Sequence, residues 1–405
     1  MTATELYYDP YDYGVDEHAQ DVWRRLRDES PVYRNDRYGF YALSRYDDVL
    51  SATLDVETFS SAHATTIELM TPERNEAFMI WMDPPKHTHF RKLVSRAFTP
   101  RRIGDLEQRV QRLCARLLDP FVGEPGFDYV DRFGALLPPT VILALLGFPE
   151  GRADEWRTGI DRMFHMDEGG TGFAEVPRPD ELAAGNALGS TLFTLLPDLM
   201  AERRARPQED LISTLVNTDL EVEDGTSRPL TDNEIFAFVQ MLAIAGTETV
   251  ARLLSWVAVL LARHPDQRAL LVDDPALVPN AIEEILRYEA PSPVNARWVE
   301  HDVELHGVTI GEGSKVIMLN GSGNRDERHF PDPDRLDVRR AIDRHLSFGY
   351  GAHFCIGAAL ARLEGRVALA ETLRRFPTWD VDEAALEWVH TSTVRGFARV
   401  PVYPG

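Results

Sequence analysis

One of only two cysteines in this 405-residue sequence stands inside "FGYGAHFCIG", residues 348–357. Three chemistries are open to Cys355: an inert buried side chain, a nucleophile or a metal ligand. The following stretch, "IGAALARLEGRVALAETLRRF", carries Leu360, Leu363, Val367, Ala370 and Leu373 at helical spacing. It predicts an amphipathic helix with Cys355 at its N-terminal end. Free backbone N–H groups and the positive end of the helix dipole favour thiolate over thiol there. Gly349, Gly351 and Gly357 permit a tight turn and close approach by a flat group. A thiolate presented in this way suits an iron centre, with N–H···S bonds tuning its electron donation. Taken alone, however, a free cysteine is more often a small buried hydrophobe.

Other segments carry chemistry of their own. In "LAIAGTETV" (242–250), Gly246 costs a helix interior roughly 1 kcal/mol against Ala, and Thr247 and Thr249 are also poor helix formers. In a buried helix such a defect suggests a groove against a ligand. "AIEEILRYEAP" (281–291) places Glu284 and Arg287 at i, i+3, a pair that contributes little when exposed. "MDPPKHTHFRKLVSRAFTP" (82–100) sets His87 and Arg91 on one helix face after Pro84 and Pro85, while Lys92 and Arg96 read as a solvated basic face.

These residues must be positioned by a mainly helical body. Residues 31–49 read as a hairpin feeding a helix, and 84–270 as mostly helical, with an apolar stripe at Ile103, Leu106, Val110, Leu113 and Leu117. Breaks are expected at 123–133 and in the glycine-rich 166–181. From Leu230 to His264 no proline interrupts the chain, and Thr231 or Asp232 can cap the start of one long helix crossing the molecule. Residues 302–320 and 387–404 read as short strands, and no boundary splits the chain 1–405, so one domain is expected.

Composition narrows the function. Hydrophobic residues make up 44% and charged ones 27%, as in a globular protein with a large core. Forty-three basic against sixty-five acidic residues give −22, which argues against nucleic-acid or anionic-membrane binding. The polar, acidic N-terminus lacks the features of a secretory leader. Unbroken apolar stretches such as "VAVLLA" (257–262) fall far short of the ~18 residues of a membrane span. Cys114 and Cys355 allow at most one disulfide and no zinc cage. A reduced, soluble, cytoplasmic protein is expected.

The decapeptide resembles the haem-ligand signature of the cytochrome P-450 family, with Phe348, Gly351, Cys355 and Gly357 at the fixed positions and His353 where bacterial members often carry His. "AGTET" (245–249) is similar to the family's oxygen-activation motif, with Glu248 where Asp is commoner. Glu284 and Arg287 match its structural Glu-x-x-Arg pair, with Arg335 expected as third partner. His87, Arg91, Arg297 and His353 resemble its contacts to the haem propionates. The resemblance implies the mainly α cytochrome P-450 fold with small sheets and haem b held between the long helix and the helix after Cys355. It implies Cys355 as iron ligand and a Thr249–Glu248 proton relay, in a monooxygenase acting on an apolar small organic substrate. Phe78, Met79, Ile80, Trp81, Met241, Ala245, Pro293 and Val294 are the expected pocket residues. Electrons from NAD(P)H are expected through an external ferredoxin and ferredoxin reductase, with Arg101, Arg102, Arg344 and Arg366 as docking candidates. Peroxide-driven oxygenation, phenol coupling or another non-hydroxylating oxidation, and non-catalytic haem binding are the rival readings. Cys114, on an ordinary amphipathic helix, is expected to be core.

Overall fold

The computed structural model describes residues 6–149, 151–164, 191–222 and 224–405, and the stretch 166–181 read as a break lies outside them. Helix α1 (Tyr13–Glu29) begins where the Asp12 carboxylate accepts the Gly14 N–H, and the expected hairpin follows as β1 (Val32–Asn35) and β2 (Phe40–Leu43). Strands β3 (Phe59–Ser60), β4 (Val294–Val299) and β5 (Lys315–Leu319) complete a five-stranded sheet in the order β1-β2-β5-β4-β3. Strands far apart in sequence meet there, because β2 and β5 run parallel with Phe40 opposite Lys315.

The helical body contains α2 (Lys86–Val94), α3 (Glu107–Leu118), α4 (Leu137–Leu146), α5 (Asp232–Arg263), α6 (Val278–Tyr288) and α7 (Ala358–Arg375). Thr231 starts α5 with a capping box: its hydroxyl accepts the Glu234 N–H, and the Glu234 carboxylate accepts the Thr231 N–H. By length and composition α5 is apolar enough to cross a membrane, yet 78% of its most apolar window is buried inside the fold. It is the central core helix, packed against α4, α6 and α7. Within the expected break at 123–133 the chain forms a short strand at Phe127–Asp128 and a π-helical turn at Val130–Gly134.

Helix α7 buries Leu360, Leu363, Val367 and Leu373 as its spacing predicts, but Ala370 is exposed. Gly365 lets three helices close together: a Cβ there would lie 3.2 Å from Leu253 Cδ2 on α5 and 3.3 Å from Ile282 on α6.

The Glu284–Arg287 pair is fully buried, with two contacts at 2.7 and 2.9 Å. Its third cation is Arg340, whose Nε donates to Glu284 Oε1 at 3.1 Å, and not Arg335. The turn at 331–335, with Asp332 in the left-handed region, aims carbonyls inward and leaves the Arg335 side chain 67% exposed. Arg340 gathers the carbonyls of Pro331, Asp332 and Arg335, so Arg335 contributes backbone only.

Candidate active site

An internal cavity of about 280 Å³ lies where α5, α7, α2, β4 and the 348–357 turn converge. The turn is closed by the Cys355 N–H donating to the Phe348 carbonyl at 2.8 Å, and Gly349 and Gly351 both take positive φ. Cys355 faces the cavity together with Phe348, Gly349, His353, Phe354 and Gly357. Its thiol is accessible only in the sense that it opens onto this internal space. Burial pushes the thiol up, while the N–H of Gly357, the guanidinium groups of Arg91 and Arg362 and the N–H of Ala358 pull it down. Burial wins that contest. The helix end alone therefore does not make a thiolate.

Four donors reach the cavity from three elements. His87 and Arg91 come one turn apart from α2, Arg297 from β4, and His353 from the turn. On β4, Asn295 and Arg297 line the cavity together because alternate residues share one face. The His87 and His353 rings are 4.2 Å apart, and His87 Nδ1 and His353 Nε2 are buried without hydrogen-bond partners. Burial, then Arg91, pushes His87 down to about 4. Burial, then Arg297, pushes His353 down to about 2. Arg297 is 5% exposed, burial lowers it to about 10, and its Nη1 donates only to the adjacent Ala296 carbonyl. Neither Arg91 nor Arg297 has an ion-pair partner among the described residues. Unpaired buried cations are costly, so this cluster is built for an anion.

On α5, Met241, Leu242, Ala245, Gly246, Thr249, Val250 and Leu253 line the cavity. The Thr249 hydroxyl donates to the Ala245 carbonyl at 2.8 Å. Glu248 does not line the cavity. It is buried on another face of α5, in a 3.2 Å ion pair with Arg252 one turn on. At Gly246 the helix is unbroken, and the missing side chain admits a neighbour: a Cβ would lie 2.8 Å from Ile142 Cδ1 of α4. Of the expected pocket residues, Met79, Ile80, Met241 and Ala245 line the cavity. Phe78 and Trp81 instead pair edge-to-face at 4.7 Å in the core, and Pro291, Ser292 and Asn295 take the places expected for Pro293 and Val294. Pro293 packs against Gly321.

A family model described as Cytochrome P450 matches residues 191–274 and 271–387. Cytochrome P450 123 of Mycobacterium tuberculosis is 41% identical, covering 98% of this chain and 97% of the relative. The chain belongs to the cytochrome P450 family. The 6-deoxyerythronolide B hydroxylase of Saccharopolyspora erythraea is 39% identical over 79% of this chain and 76% of its own length. The solved cytochrome P450 CYP109Q5 from Chondromyces apiculatus superposes with a TM-score of 0.85 at 32% identity, covering 98% of both chains.

The fold is thus the cytochrome P450 fold, and the enzyme is a monooxygenase whose cofactor is haem iron, supplied with electrons by redox partners. The residues present fit haem. Among the described residues no three His, Cys, Asp or Glu side chains converge to hold an ion directly, so a single thiol suits iron already held by a macrocycle. His87, Arg91, Arg297 and His353, none of them in an ion pair among the described residues, suit its carboxylates. Sequence reasoning missed Glu364, a cavity-lining acid on α7, although a glutamate beside Leu360, Leu363 and Val367 on an apolar stripe is a readable signal. Ile142, in an apolar run, and Phe98, between Arg96 and Arg101, also line it and carry no such signal.

Proposed function

We propose that this cytochrome P450 hydroxylates an apolar small organic substrate, with Cys355 as iron ligand and His87, Arg91, Arg297 and His353 as propionate contacts. The observation carrying the reading is one sulfur opening onto a cavity that Thr249, His87, Arg91, Arg297 and His353 also line, the last four without an ion-pair partner among the described residues. Haem b, when bound, supplies dioxygen activation and transfer of one oxygen atom to the substrate. Phe348, whose carbonyl accepts the Cys355 N–H at 2.8 Å, carries the Arg362 guanidinium 4.5 Å from its ring centroid and braces the turn. Met79, Ile80, Ile142, Met241, Leu242 and Pro291 exclude water and favour an apolar ligand. Thr249 Oγ1, on the cavity wall, hands protons inward, and Glu248 restores them from behind the helix. A ferredoxin drawing on NAD(P)H through its reductase supplies the electrons, and the protein works in the cytoplasm.

Cys355→Ala tests the reading. Wild-type protein is expected to give the carbon monoxide difference spectrum of thiolate-ligated haem and the variant to lose it. A wild-type spectrum of imidazole-ligated haem overturns the assignment.

A further inference from the structure

A cation outside the cavity stands beside the cysteine turn and has no role in the reaction described so far. Arg362 lies on α7, one turn beyond Ala358, whose N–H acts on the Cys355 sulfur. It does not line the cavity. Its guanidinium sits 4.5 Å from the Phe348 ring centroid, and the Phe348 carbonyl takes the Cys355 N–H at 2.8 Å. Arg362 and the sulfur are near enough to act on one another.

Glu283 fixes that guanidinium in place. From α6 its carboxylate accepts the Arg362 Nε–H at 2.7 Å and Nη2–H at 2.8 Å, a two-point grip that sets the plane of the fork. The buried His345 adds a contact of 3.2 Å to Glu283 Oε2, while its Nδ1 accepts the Ser347 N–H. With Nδ1 accepting, Nε2 carries the proton that is donated to Glu283. Burial acts against the Glu283 carboxylate, but Arg362 and His345 outweigh it and hold it down to about 2, so the grip persists at working pH. The adjacent Glu284 serves Arg287 instead. The Arg362–Glu283 pair is neutral in sum but not in position: the cation lies against the Phe348 ring and acts on the sulfur, and the carboxylate belongs to α6. Of the two guanidinium groups that act on Cys355, Arg91 faces the cavity, where a haem propionate would match its charge. Arg362 stands outside and keeps its effect.

We infer that Arg362 is a positioning residue for this reaction, a fixed positive charge beside the iron ligand that sets how readily the haem takes up its electron. The inference rests on the assignment of Cys355 as that ligand. Each uptake moves one electron from the redox partner to the haem, makes and breaks no bond, and leaves the iron and its thiolate more negative by one charge. A cation close to the sulfur favours that more negative state and restrains electron donation by the thiolate. Glu283 opposes it, and so fixes how much of the effect the sulfur feels. The two partners of one ion pair therefore move the reduction equilibrium in opposite directions, which breakage of a merely structural bridge does not do.

The test is the reduction potential of substrate-free, haem-loaded enzyme, followed by its absorption spectrum. Arg362→Gln is expected to shift the equilibrium at least about threefold toward oxidised haem, about 28 mV for one electron. Arg362→Lys, which keeps the charge but not the fork, is expected to recover at least half of that loss. Glu283→Gln is expected to move the potential the other way. Carbon monoxide spectra of the reduced proteins check the ligand in each. Thiolate-type spectra with an unchanged potential in Arg362→Gln reject the inference and retain Cys355 as ligand, whereas a wild-type spectrum of imidazole-ligated haem rejects both. Shifts of the same sign in Arg362→Gln and Glu283→Gln overturn it as well, because loosening of the turn moves both alike. So does a lysine variant with a potential as low as the glutamine one. Where Arg362→Gln fails to hold haem, Glu283→Gln decides: a potential at or below the wild-type value overturns the inference.

Discussion

Neutral imidazole is the form His87 takes inside the haem-free protein, and that makes it a pH liability. Its ordinary pKa near 6.5 is pushed to about 4 by burial and by Arg91. Between those values the unfolded chain binds a proton that the folded chain does not. Stability contributed by the neutral form is therefore present above pH 6.5 and is lost as pH falls toward 4, at about 1.4 kcal/mol per pH unit for this residue. Urea unfolding of the haem-free protein at about pH 6.5, 5.5 and 4.5 is expected to show that slope, and His87→Asn to flatten it by about one proton. Equal slopes in both proteins rule the account out. His87, Arg91, Arg297 and His353, which the structure brings to one cavity, were marked in the sequence by their resemblance to family motifs. What spacing cannot show is which acid a helix turns inward. Glu248 lies next to Thr249 in sequence, yet 100° of helical rotation per residue carries it off the cavity wall. Arg335 and Arg340 are likewise five residues apart in one irregular segment, and only backbone conformation decides which guanidinium turns inward.

At the level of elements, α5 was readable from end to end. Its start is written in Thr231 and Glu234, its stop in His264-Pro265, and its length in the absence of proline between them. The meaning of Gly246 was not readable, because the reason sits on another helix. Gly246→Ala gains about 1 kcal/mol in helix propensity but forces its methyl to 2.8 Å from Ile142 Cδ1. The two effects oppose each other, so the single variant is expected to lie near wild type in stability. In an Ile142→Val background the offending methyl is gone and the propensity gain should emerge. The double-mutant cycle is expected to show a coupling of about 0.5–1 kcal/mol, measured by chemical denaturation. Strict additivity shows that Gly246 is not there to admit α4. The Glu284–Arg287–Arg340 cluster holds α6 to the 331–340 segment just before the cysteine turn. Glu284→Ala strands the fully buried Arg287 and removes a partner of the partly buried Arg340, and should cost about 3–5 kcal/mol, with haem retention falling alongside stability. Loss of less than about 1 kcal/mol contradicts a locking role.

Across the whole molecule, the charge of −22 disfavours approach of another acidic protein, so docking of an acidic iron–sulfur donor must depend on local cations. Composition alone reads only the total. The structure divides the four docking candidates. Arg366 is held by Glu107 through two bonds of 2.8 and 2.6 Å, so its charge is already matched. Arg101 and Arg102 are exposed at the start of the short helix Pro100–Asp105. Arg344 is 60% exposed, with the sequence-adjacent Asp343 at 3.6 Å as its ion-pair partner among the described residues. Reversing Arg101 and Arg102 together to Glu is expected to slow ferredoxin reduction of the enzyme by about tenfold or more at low salt and to weaken the salt dependence of the rate, because steering charges act before contact. Arg366→Gln is expected to leave the salt dependence of that rate near wild type while lowering stability slightly, since it only breaks a half-exposed pair. Stopped-flow reduction at several ionic strengths measures both. Unchanged rates in the double reversal, or an Arg366→Gln effect as large, would place the donor on a different face of the enzyme.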